Sequence, residues 1–226
     1  MINCLLCHSN KTALYLDQTE NIPWALYGYE KESFPKSLKF YQCSNCDLIF
    51  KDPAVRAKLE NEKQHYLKHN NDEDNIEYQN YMMRLIEPFL SHLKKGDEGL
   101  DFGSGPHPVM EQMFKKVGFT CFSSDPFFNF KESVLDRQYD FITCSEAAEH
   151  FCDAFQEFNL LFSLLKQDGK MAIRTKFAPA KNFNDWWYQR DPTHVVFYSE
   201  KSFHFLADKY SKRIIFLPND ISIFCN

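Results

Sequence analysis

The sequence predicts an α/β protein in which a mostly parallel sheet carries helices on both faces, preceded by a small cysteine-rich module. Three observations lead to this prediction. From residue 99 onwards, short apolar strand patterns alternate with amphipathic helix patterns. Two strands joined at Pro218-Asn219-Asp220 then close the pattern as an antiparallel hairpin. Two Cys-x2-Cys pairs lie within the first 46 residues.

The composition argues against several classes of protein. The 226 residues carry a formal net charge of −5, whereas proteins that coat nucleic acids usually have a basic excess. The chain contains no run of about eighteen apolar residues, and its first residues lack the basic and apolar regions of a signal peptide. We therefore expect a cytoplasmic protein that does not cross a membrane. In that reducing compartment, paired cysteines bind metal more often than they form disulfides.

The cysteine pairs predict a zinc site in a zinc-ribbon-like module over residues 1–54. Two knuckles supply four thiolates, Cys4, Cys7, Cys43 and Cys46, which is the ligand set of a closed, structural Zn²⁺ site. The 35 residues between the pairs exceed the usual separation of about 15–20. His8 is an alternative ligand, although we expect it to be a bystander.

Residues 55–226 predict a second domain that begins with two helices, over residues 55–69 and 76–93. The helix after the capping sequence at Asp153 is expected to end at Gly169, a plausible C′ residue. The other predicted elements are strands at 99–102, 119–124, 139–144, 170–175, 213–217 and 221–224, and helices at 109–117 and 199–209.

A glycine turn between the first strand and its helix predicts a nucleotide-like ligand. Gly103 and Gly105 let the backbone turn sharply and approach a ligand without an intervening Cβ. Asp125 lies 22 residues after Gly103, at the end of the next strand, where a carboxylate can accept both hydroxyl hydrogens of a ribose. Pro108 stands where a dinucleotide fingerprint needs a third glycine, which disfavours a pyrophosphate and hence a nicotinamide dehydrogenase.

Several segments together resemble the class I S-adenosylmethionine-dependent methyltransferases, which have a Rossmann-like fold. These are Leu100-Asp101-Phe102-Gly103-Ser104-Gly105, then Ser124-Asp125, then residues 139–151 with their Glu-x-x-Glu-His run, and the 164–171 segment before the fifth strand. The resemblance covers roughly residues 76–226. The terminal hairpin also lies where that fold places its reversed last strand.

The resemblance implies roles for individual residues. It places the methionine part of the cofactor against the glycine turn, the ribose at the end of the next strand, and the sulfonium beside the fourth strand. Asp125 corresponds to the ribose and Glu146 to the sulfonium. The residues for the methionine part are Asp101, Gly103, Ser104 and Gly105. Tyr78, Tyr81 and Arg84 lie on a helix that similar enzymes sometimes close over the cofactor's carboxylate.

The segment at residues 126–138 is shorter than the resemblance leads one to expect. Asp140 lies only fifteen residues after Asp125, in a stretch where the family usually fits a helix and a third strand. We expect Pro126, Phe127 and Phe128 to form an apolar wall for the adenine instead. The shortening leaves open a non-catalytic relative that has kept the fold.

Two histidines are candidate catalytic bases for a methyl acceptor. His150 follows the fourth strand, and His194 lies in the loop after the fifth strand, which we expect to overhang the pocket. The arrangement around His194 also resembles small-molecule methyltransferases of this superfamily. Trp186, Trp187 and Tyr188 precede it and can form an apolar substrate wall or pack as a lid.

These inferences predict methyl transfer from S-adenosylmethionine to an O, N or C atom of a small molecule. An RNA methyltransferase is an alternative, but residues 1–56 contain six basic and six acidic residues and so show no electrostatic footprint for nucleic acid. A non-catalytic, zinc-stabilised binding protein is the other alternative. The sequence specifies no oligomeric state.

Overall fold

The computed structural model describes residues 2–20, 22–67 and 73–226, and the chain forms two compact units. The first unit comprises Met1–His65, Glu149–Glu157 and Lys176–Phe205. The second comprises Tyr66–Ala148, Phe158–Thr175 and Leu206–Asn226. The first unit thus contains the predicted module of residues 1–54, and also residues 55–65 and two later segments, all of which the sequence assigned to the second domain.

The described elements follow the predicted order with small shifts at their ends. The strands are β1 Thr12–Gln18, β2 Leu38–Cys43, β3 Ile49–Lys51, β4 Glu98–Phe102, β5 Thr120–Ser124, β6 Tyr139–Ser145, β7 Leu165–Arg174, β8 Val196–Phe197, β9 Arg213–Leu217 and β10 Ile221–Cys225. The helices are α1 Leu59–Tyr66, α2 Ile76–Leu90, α3 Val109–Lys116, α4 Glu132–Leu135, α5 Ala154–Ser163 and α6 Glu200–Lys209. Short 3-10 turns include Trp24–Tyr27, Ala148–His150 and Trp187–Arg190.

The first unit is built on a four-stranded antiparallel sheet of order β1-β2-β3-β8. Its last strand comes from the segment that the sequence predicted as a loop over the pocket: Ile49 pairs with Phe197, and Phe50 with Val196. An aromatic core forms in the same unit, where the ring centroid of Phe183 lies 5.3 Å from those of both Phe40 and Phe197. This pairing and packing hold residues 176–205 within the first unit.

The second unit contains a six-stranded sheet of order β5-β4-β6-β7-β10-β9. Strands β5, β4, β6 and β7 are parallel, and β10 runs antiparallel to both β7 and β9. This confirms the predicted Rossmann-like sheet with its terminal hairpin. The strand order reverses on the two sides of β4, and in open α/β sheets ligands bind beyond the carboxyl ends of the strands at such a point.

Phe141 of β6 lies at the centre of the second unit's core. Its ring centroid is 4.8 Å from that of Phe114 and 6.0 Å from that of Phe89. These rings come from α3 and α2, so both helices bury their apolar stripes against the sheet, as the sequence periodicity indicates.

The helix predicted to reach Gly169 ends at Ser163, because Leu165 already pairs with Tyr139 and starts β7, which places Gly169 inside that strand. Between β5 and β6, where every residue is described, the chain forms only the four-residue α4 and no strand. The helix expected over residues 55–69 is α1, Leu59–Tyr66; residues 68 and 69 lie outside the described part.

Within the described ranges, no helix combines the length and apolar character that a bilayer crossing requires.

We predict that Gly99→Ala destabilises the second unit by about 1–3 kcal/mol, because overpacking a full core costs that much. A Cβ at residue 99 would lie 2.1 Å from the ring of Phe141 on the neighbouring strand. Urea denaturation followed by circular dichroism measures the change. The matched control is the exposed Thr120→Ala on the adjacent strand, with an expected change under about 0.5 kcal/mol. Equal stability of the two variants would contradict the prediction.

Candidate functional site

The glycine turn after β4 is tied to the end of β5 by backbone hydrogen bonds. The Gly103 amide donates to the carbonyl oxygen of Ser124 at 2.8 Å. Gly103 and Gly105 both have left-handed backbones, with φ of +78° and +67°. A Cβ on Gly103 would lie 2.5 Å from the Cβ of Ala147, whereas one on Gly105 would meet no atom within 4 Å. The turn therefore packs tightly on one side and presents open space at Gly105.

Asp125 closes the same turn from the neighbouring strand. Its Oδ2 accepts a hydrogen bond from the Gly105 amide at 2.8 Å, and its Oδ1 accepts from the amides of Phe127 and Phe128 at 2.9 and 3.2 Å. The residue is 7% exposed. A carboxylate has about four acceptor positions, so three protein donors leave it able to accept one more hydrogen bond, and not the two from a ribose that the sequence predicts.

Asp101, the last but one residue of β4, is buried and lies two residues before Gly103 in the chain. Its Oδ1 accepts a hydrogen bond from the Thr143 hydroxyl at 2.9 Å. Burial raises the pKa of Asp101 to about 7, against the smaller opposing effect of the Thr143 hydrogen bond. The carboxyl group therefore changes charge near neutral pH, unlike an exposed aspartate.

Glu146, directly after β6, belongs to a cluster of charged and aromatic groups. Its Oε1 accepts a hydrogen bond from the Tyr81 hydroxyl at 2.8 Å and lies 3.3 Å from Nε of Arg174. The Arg174 guanidinium lies 3.8 Å from the centroid of the Tyr81 ring and donates to the Tyr81 carbonyl at 2.7 Å. Tyr81 lies on α2, the helix that similar enzymes sometimes close over the cofactor's carboxylate, and it bonds to Glu146. Arg84 is 5.9 Å from the Tyr81 ring centroid.

The residues expected to form an adenine wall lie in the turn after Asp125. The Phe127 ring is 6.2 Å from that of Phe128 and 5.6 Å from that of Tyr66, which the sequence analysis did not single out. Phe127 and Phe128 are half-buried, and Pro126 is exposed. An apolar wall at residues 126–128 stays a prediction.

All eight residues predicted to bind the cofactor lie in the second unit, at or after the carboxyl ends of β4, β5 and β6. Adjacent parallel strands bring these ends to one edge of the sheet, which is the edge where ligands bind. The residues are Asp101, Gly103, Ser104, Gly105, Asp125, Pro126, Phe127 and Glu146. The predicted bases His150 and His194 belong to the first unit.

The four N-terminal cysteines form one cluster in the first unit. Their Sγ atoms all lie within 4.8 Å of one another. The Sγ atoms of Cys4 and Cys46 are 3.5 Å apart, and those of Cys7 and Cys43 are 3.6 Å apart. Four sulfurs at about 2.3 Å from one Zn²⁺ would be separated by about 3.8 Å. The donor set and its spacing therefore fit a tetrahedral metal ion.

The two cysteine pairs have the same local turn. His8 and Asp47, each directly after the second cysteine of a pair, have φ of +55° and +66°. Their amides donate to the carbonyls of Cys4 and Cys43 at 3.0 and 2.8 Å. The His8 side chain is engaged elsewhere, with Nε2 3.3 Å from Asp153 Oδ1. His8 is outside the cysteine cluster, as expected for a bystander.

His150 and His194 lie side by side in the first unit, with ring centroids 4.8 Å apart. Nδ1 of His150 bonds to the Thr193 carbonyl at 3.0 Å, and Nδ1 of His194 bonds to the Tyr188 carbonyl at 2.8 Å. Burial lowers the pKa of His194 to about 3, and the neighbouring His150 acts in the same direction. Glu149 joins the pair, and one ligand atom from each of the three residues lies within 4.8 Å of the others.

The loop that carries His194 is held by a buried lysine. Lys51 of β3 is fully buried, and its Nζ donates to the carbonyl oxygen of Asp191 at 2.5 Å. Burial lowers the pKa of Lys51 to about 7, although the charge of Asp191 opposes this. Asp191 Oδ1 accepts from the hydroxyl and amide of Thr193 at 2.6 and 2.9 Å.

Four members of these clusters were not predicted from the sequence: Lys51, Arg174, Glu149 and Tyr188. Glu149 lies in the Glu-x-x-Glu-His run, so the sequence did contain a pattern that could have identified it. The sequence left Tyr188 either in an apolar substrate wall or as lid packing; it is buried, and its hydroxyl donates to Glu149 Oε1 at 2.6 Å. Nothing in the local sequence distinguishes Lys51 or Arg174 from exposed basic residues, since their burial depends on tertiary packing.

The model of a family described as a methyltransferase domain matches residues 49–210, so the chain belongs to this family. This confirms the predicted class, a methyltransferase. No curated protein sequence matches the chain significantly.

Two solved structures share the fold. One is a 1,6-didemethyltoxoflavin-N1-methyltransferase from Burkholderia thailandensis with bound 1,6-didemethyltoxoflavin and S-adenosylhomocysteine. The two sequences are 12% identical, the alignment covers 73% of this chain and 86% of that one, and the TM-score is 0.53. The other is a protein from Pyrococcus horikoshii OT3, with 16% identity, coverage of 72% and 98%, and a TM-score of 0.50. A methyltransferase of calicheamicin biosynthesis, bound to S-adenosylhomocysteine, aligns at 11% identity and TM-score 0.47 over 66% of this chain. The chain spans 54% of that methyltransferase.

We predict that Asp101→Asn stabilises the ligand-free protein at pH 8 by about 1–3 kcal/mol but leaves its stability at pH 4 unchanged. Burial raises the pKa of Asp101 from its ordinary value of 3.8 to about 7. Between these values the folded chain holds a proton that the unfolded chain releases, so the group's contribution is lost as pH rises. Asparagine mimics the neutral carboxyl and keeps the acceptor for Thr143.

Urea denaturation at both pH values tests this, with the exposed Asp136→Asn as the control. An Asp101→Asn effect of the same size at pH 4 and pH 8 would rule out titration as its cause.

Proposed function

We propose that the protein transfers a methyl group from S-adenosylmethionine to a small-molecule acceptor, with a structural zinc ion in its cysteine cluster. When bound, the cofactor supplies an activated methyl group on a sulfonium. Methyl transfer is an in-line displacement, so the protein acts mainly by holding donor and acceptor in line. The family, the fold and the strand-end residues of the second unit support this proposal.

The observation that carries the proposal is the pairing of Gly105 with Asp125. The open space at Gly105 admits a ligand against the backbone, and Asp125 is fixed beside it by the Gly105 amide. The acceptor position that Asp125 retains suits a ribose hydroxyl. In this proposal the cofactor's ribose contacts Asp125, and its methionine part lies along residues 103–105.

Two acidic groups suit the charged end of the cofactor. The Asp101 carboxyl is buried at the end of β4, and a nearby ligand ammonium would favour its charged form. Glu146 is held in place by Tyr81 and Arg174, and it serves in this proposal as the polar group on the sulfonium side.

A small molecule is the acceptor that the available observations favour. Residues 1–56 have balanced charge, which does not support a nucleic-acid surface. The Burkholderia thailandensis methyltransferase, which shares the fold, has a small molecule bound together with S-adenosylhomocysteine. The acceptor atom is O, N or C in this proposal.

The role of His150 and His194 as general bases stays a prediction. An imidazole whose pKa is lowered to about 3 takes up a proton only weakly at neutral pH. The His194 ring is therefore better suited to accept a hydrogen bond or to bind a metal ion than to remove a proton.

The proposed zinc ion stabilises the first unit and takes no part in methyl transfer. Four cysteine ligands leave no open coordination position, which is typical of structural zinc sites. The matching turns at His8 and Asp47 shape both knuckles to direct their sulfurs toward one point.

We predict that the zinc-loaded protein binds S-adenosylhomocysteine and that Asp125→Asn weakens this binding about 10–100-fold. A hydrogen bond to a charged group contributes about 1.5–3 kcal/mol, which accounts for such a loss. Titration calorimetry measures the affinity, and Asp136→Asn is the matched control with unchanged binding. Wild-type protein that binds no S-adenosylhomocysteine would contradict the proposal and favour a non-catalytic binding protein.

We predict one tightly bound Zn²⁺ in the cysteine cluster, lost in Cys43→Ser but retained in Cys152→Ser, whose side chain is exposed and outside the cluster. Loss of a structural metal destabilises a protein by more than about 4 kcal/mol, which lowers the Tm of a chain of this size by roughly 10 °C. Elemental analysis and thermal denaturation measure both effects. A wild-type protein with an unchanged Tm after chelation would contradict a structural role.

A further inference from the structure

A second group of potential metal ligands lies in the first unit, apart from the four cysteines. Glu149, His150 and His194 each offer one ligand atom, and these atoms lie within 4.8 Å of one another. Glu149 Oε1 is 3.9 Å from His150 Nε2. Ligand atoms bonded to one ion at about 2.0–2.2 Å are separated by roughly 3.0–3.5 Å. Small side-chain movements, without a change of rotamer, would therefore bring the three ligand atoms to bonding distance of one ion.

The hydrogen bonds of both imidazoles orient them as metal ligands. A carbonyl oxygen only accepts hydrogen bonds, so the Nδ1 atoms bonded to the carbonyls of Thr193 and Tyr188 each carry the proton. In a neutral imidazole the lone pair then belongs to Nε2. Metal-binding histidines almost always have this arrangement, with the other ring nitrogen donating to a carbonyl or a carboxylate.

Hydrogen bonds also fix the position of the carboxylate ligand, Glu149. Glu149 is 1% exposed, and its Oε1 accepts a hydrogen bond from the Tyr188 hydroxyl at 2.6 Å. The backbone carbonyl of Glu149 accepts from the Val195 amide at 2.8 Å, which fixes the two chain segments of the cluster to each other. Tyr188 thus orients two of the three groups, His194 through its carbonyl and Glu149 through its hydroxyl.

Two carboxylates near the group favour a cation. A buried carboxylate is costly unless a positive charge compensates it. Asp191 adds a second carboxylate, with Oδ2 4.0 Å from Nε2 of His194 and 3.0 Å from Nε2 of His65. Lys51 is a buried ammonium in this region: it donates to the Asp191 carbonyl, and its charge opposes a further positive charge on His194.

We propose that Glu149, His150 and His194 bind a divalent transition-metal ion of the Zn²⁺ type. Two imidazole nitrogens and one carboxylate oxygen form a donor set that such ions prefer. Three protein ligands leave at least one coordination position for water or for an oxygen or nitrogen of a small molecule, in contrast to the closed cysteine site. The site depends on residues of the first unit alone and does not rest on the proposed methyl transfer.

Cobalt distinguishes the two metal sites in the full-length protein. We expect metal-free protein to take up two equivalents of Co²⁺. The equivalent bound by the cysteine cluster shows thiolate-to-cobalt charge-transfer absorption. The equivalent bound by nitrogen and oxygen shows only the weaker ligand-field bands. Uptake of a single equivalent, with the charge-transfer absorption alone, would overturn the proposal.

Variants assign the second equivalent to its ligands. We expect His194→Gln and Glu149→Gln to weaken the second Co²⁺ site at least about 100-fold while keeping the charge-transfer absorption of the first. We expect Tyr188→Phe, which removes only an orienting hydroxyl, to weaken it about 10–100-fold. The exposed His204→Gln is the matched control with unchanged uptake.

The retained charge-transfer absorption also reports that each variant has folded its first unit. If His194→Gln loses that absorption, Glu149→Gln, which keeps the shape of the side chain, tests the same site. A second equivalent that binds both variants as tightly as wild type would show that the ion is held elsewhere and would overturn the proposal.

Discussion

The strand-end site of the second unit depends on the ion pair between the buried guanidinium of Arg174 and Glu146. Arg174 is 1% exposed and also stacks on the Tyr81 ring. A buried guanidinium without its carboxylate would cost several kcal/mol, so α2, β6 and β7 are constrained together. Glu146 also has a left-handed backbone, with φ of +52°, and its amide donates to the Arg174 carbonyl at 2.8 Å. The ion pair and this hydrogen bond together stabilise a conformation that non-glycine residues rarely adopt.

Local sequence patterns were sufficient to predict the sheet of the second unit and the residues at its strand ends. The glycine turn, Asp125 and Glu146 each follow a short apolar run, and parallel pairing necessarily brings the ends of adjacent strands to one edge. The limits of local patterns are equally clear at Leu165. Its spacing from Phe158 and Phe162 suits a helix face, but pairing with Tyr139 places it in β7. Strand pairing is a tertiary effect, and it overrode the local helical period.

Tertiary packing also decided where residues 176–205 belong. The sequence showed a loop between a strand and a helix, and it gave no sign that Val196 and Phe197 would extend the sheet of the N-terminal unit. The burial of Lys51 follows from the same pairing, because its amide bonds to the Val195 carbonyl at 2.9 Å. A lysine in a short strand is ordinarily exposed, so its burial could not be predicted without knowing which segment covers it.

The two ligand clusters of the first unit differ in how the chain assembles them. The cysteine knuckles are local turns, and their ligands can be recognised from spacing alone. Glu149 and His150 lie more than forty residues before His194, and the Val195–Glu149 hydrogen bond brings these segments together. Soft sulfur ligands in a closed set suit a metal that stabilises the fold, whereas nitrogen and oxygen ligands in an incomplete set suit a metal that can bind a further group. The first unit therefore combines a donor set suited to stabilising the fold with one suited to binding.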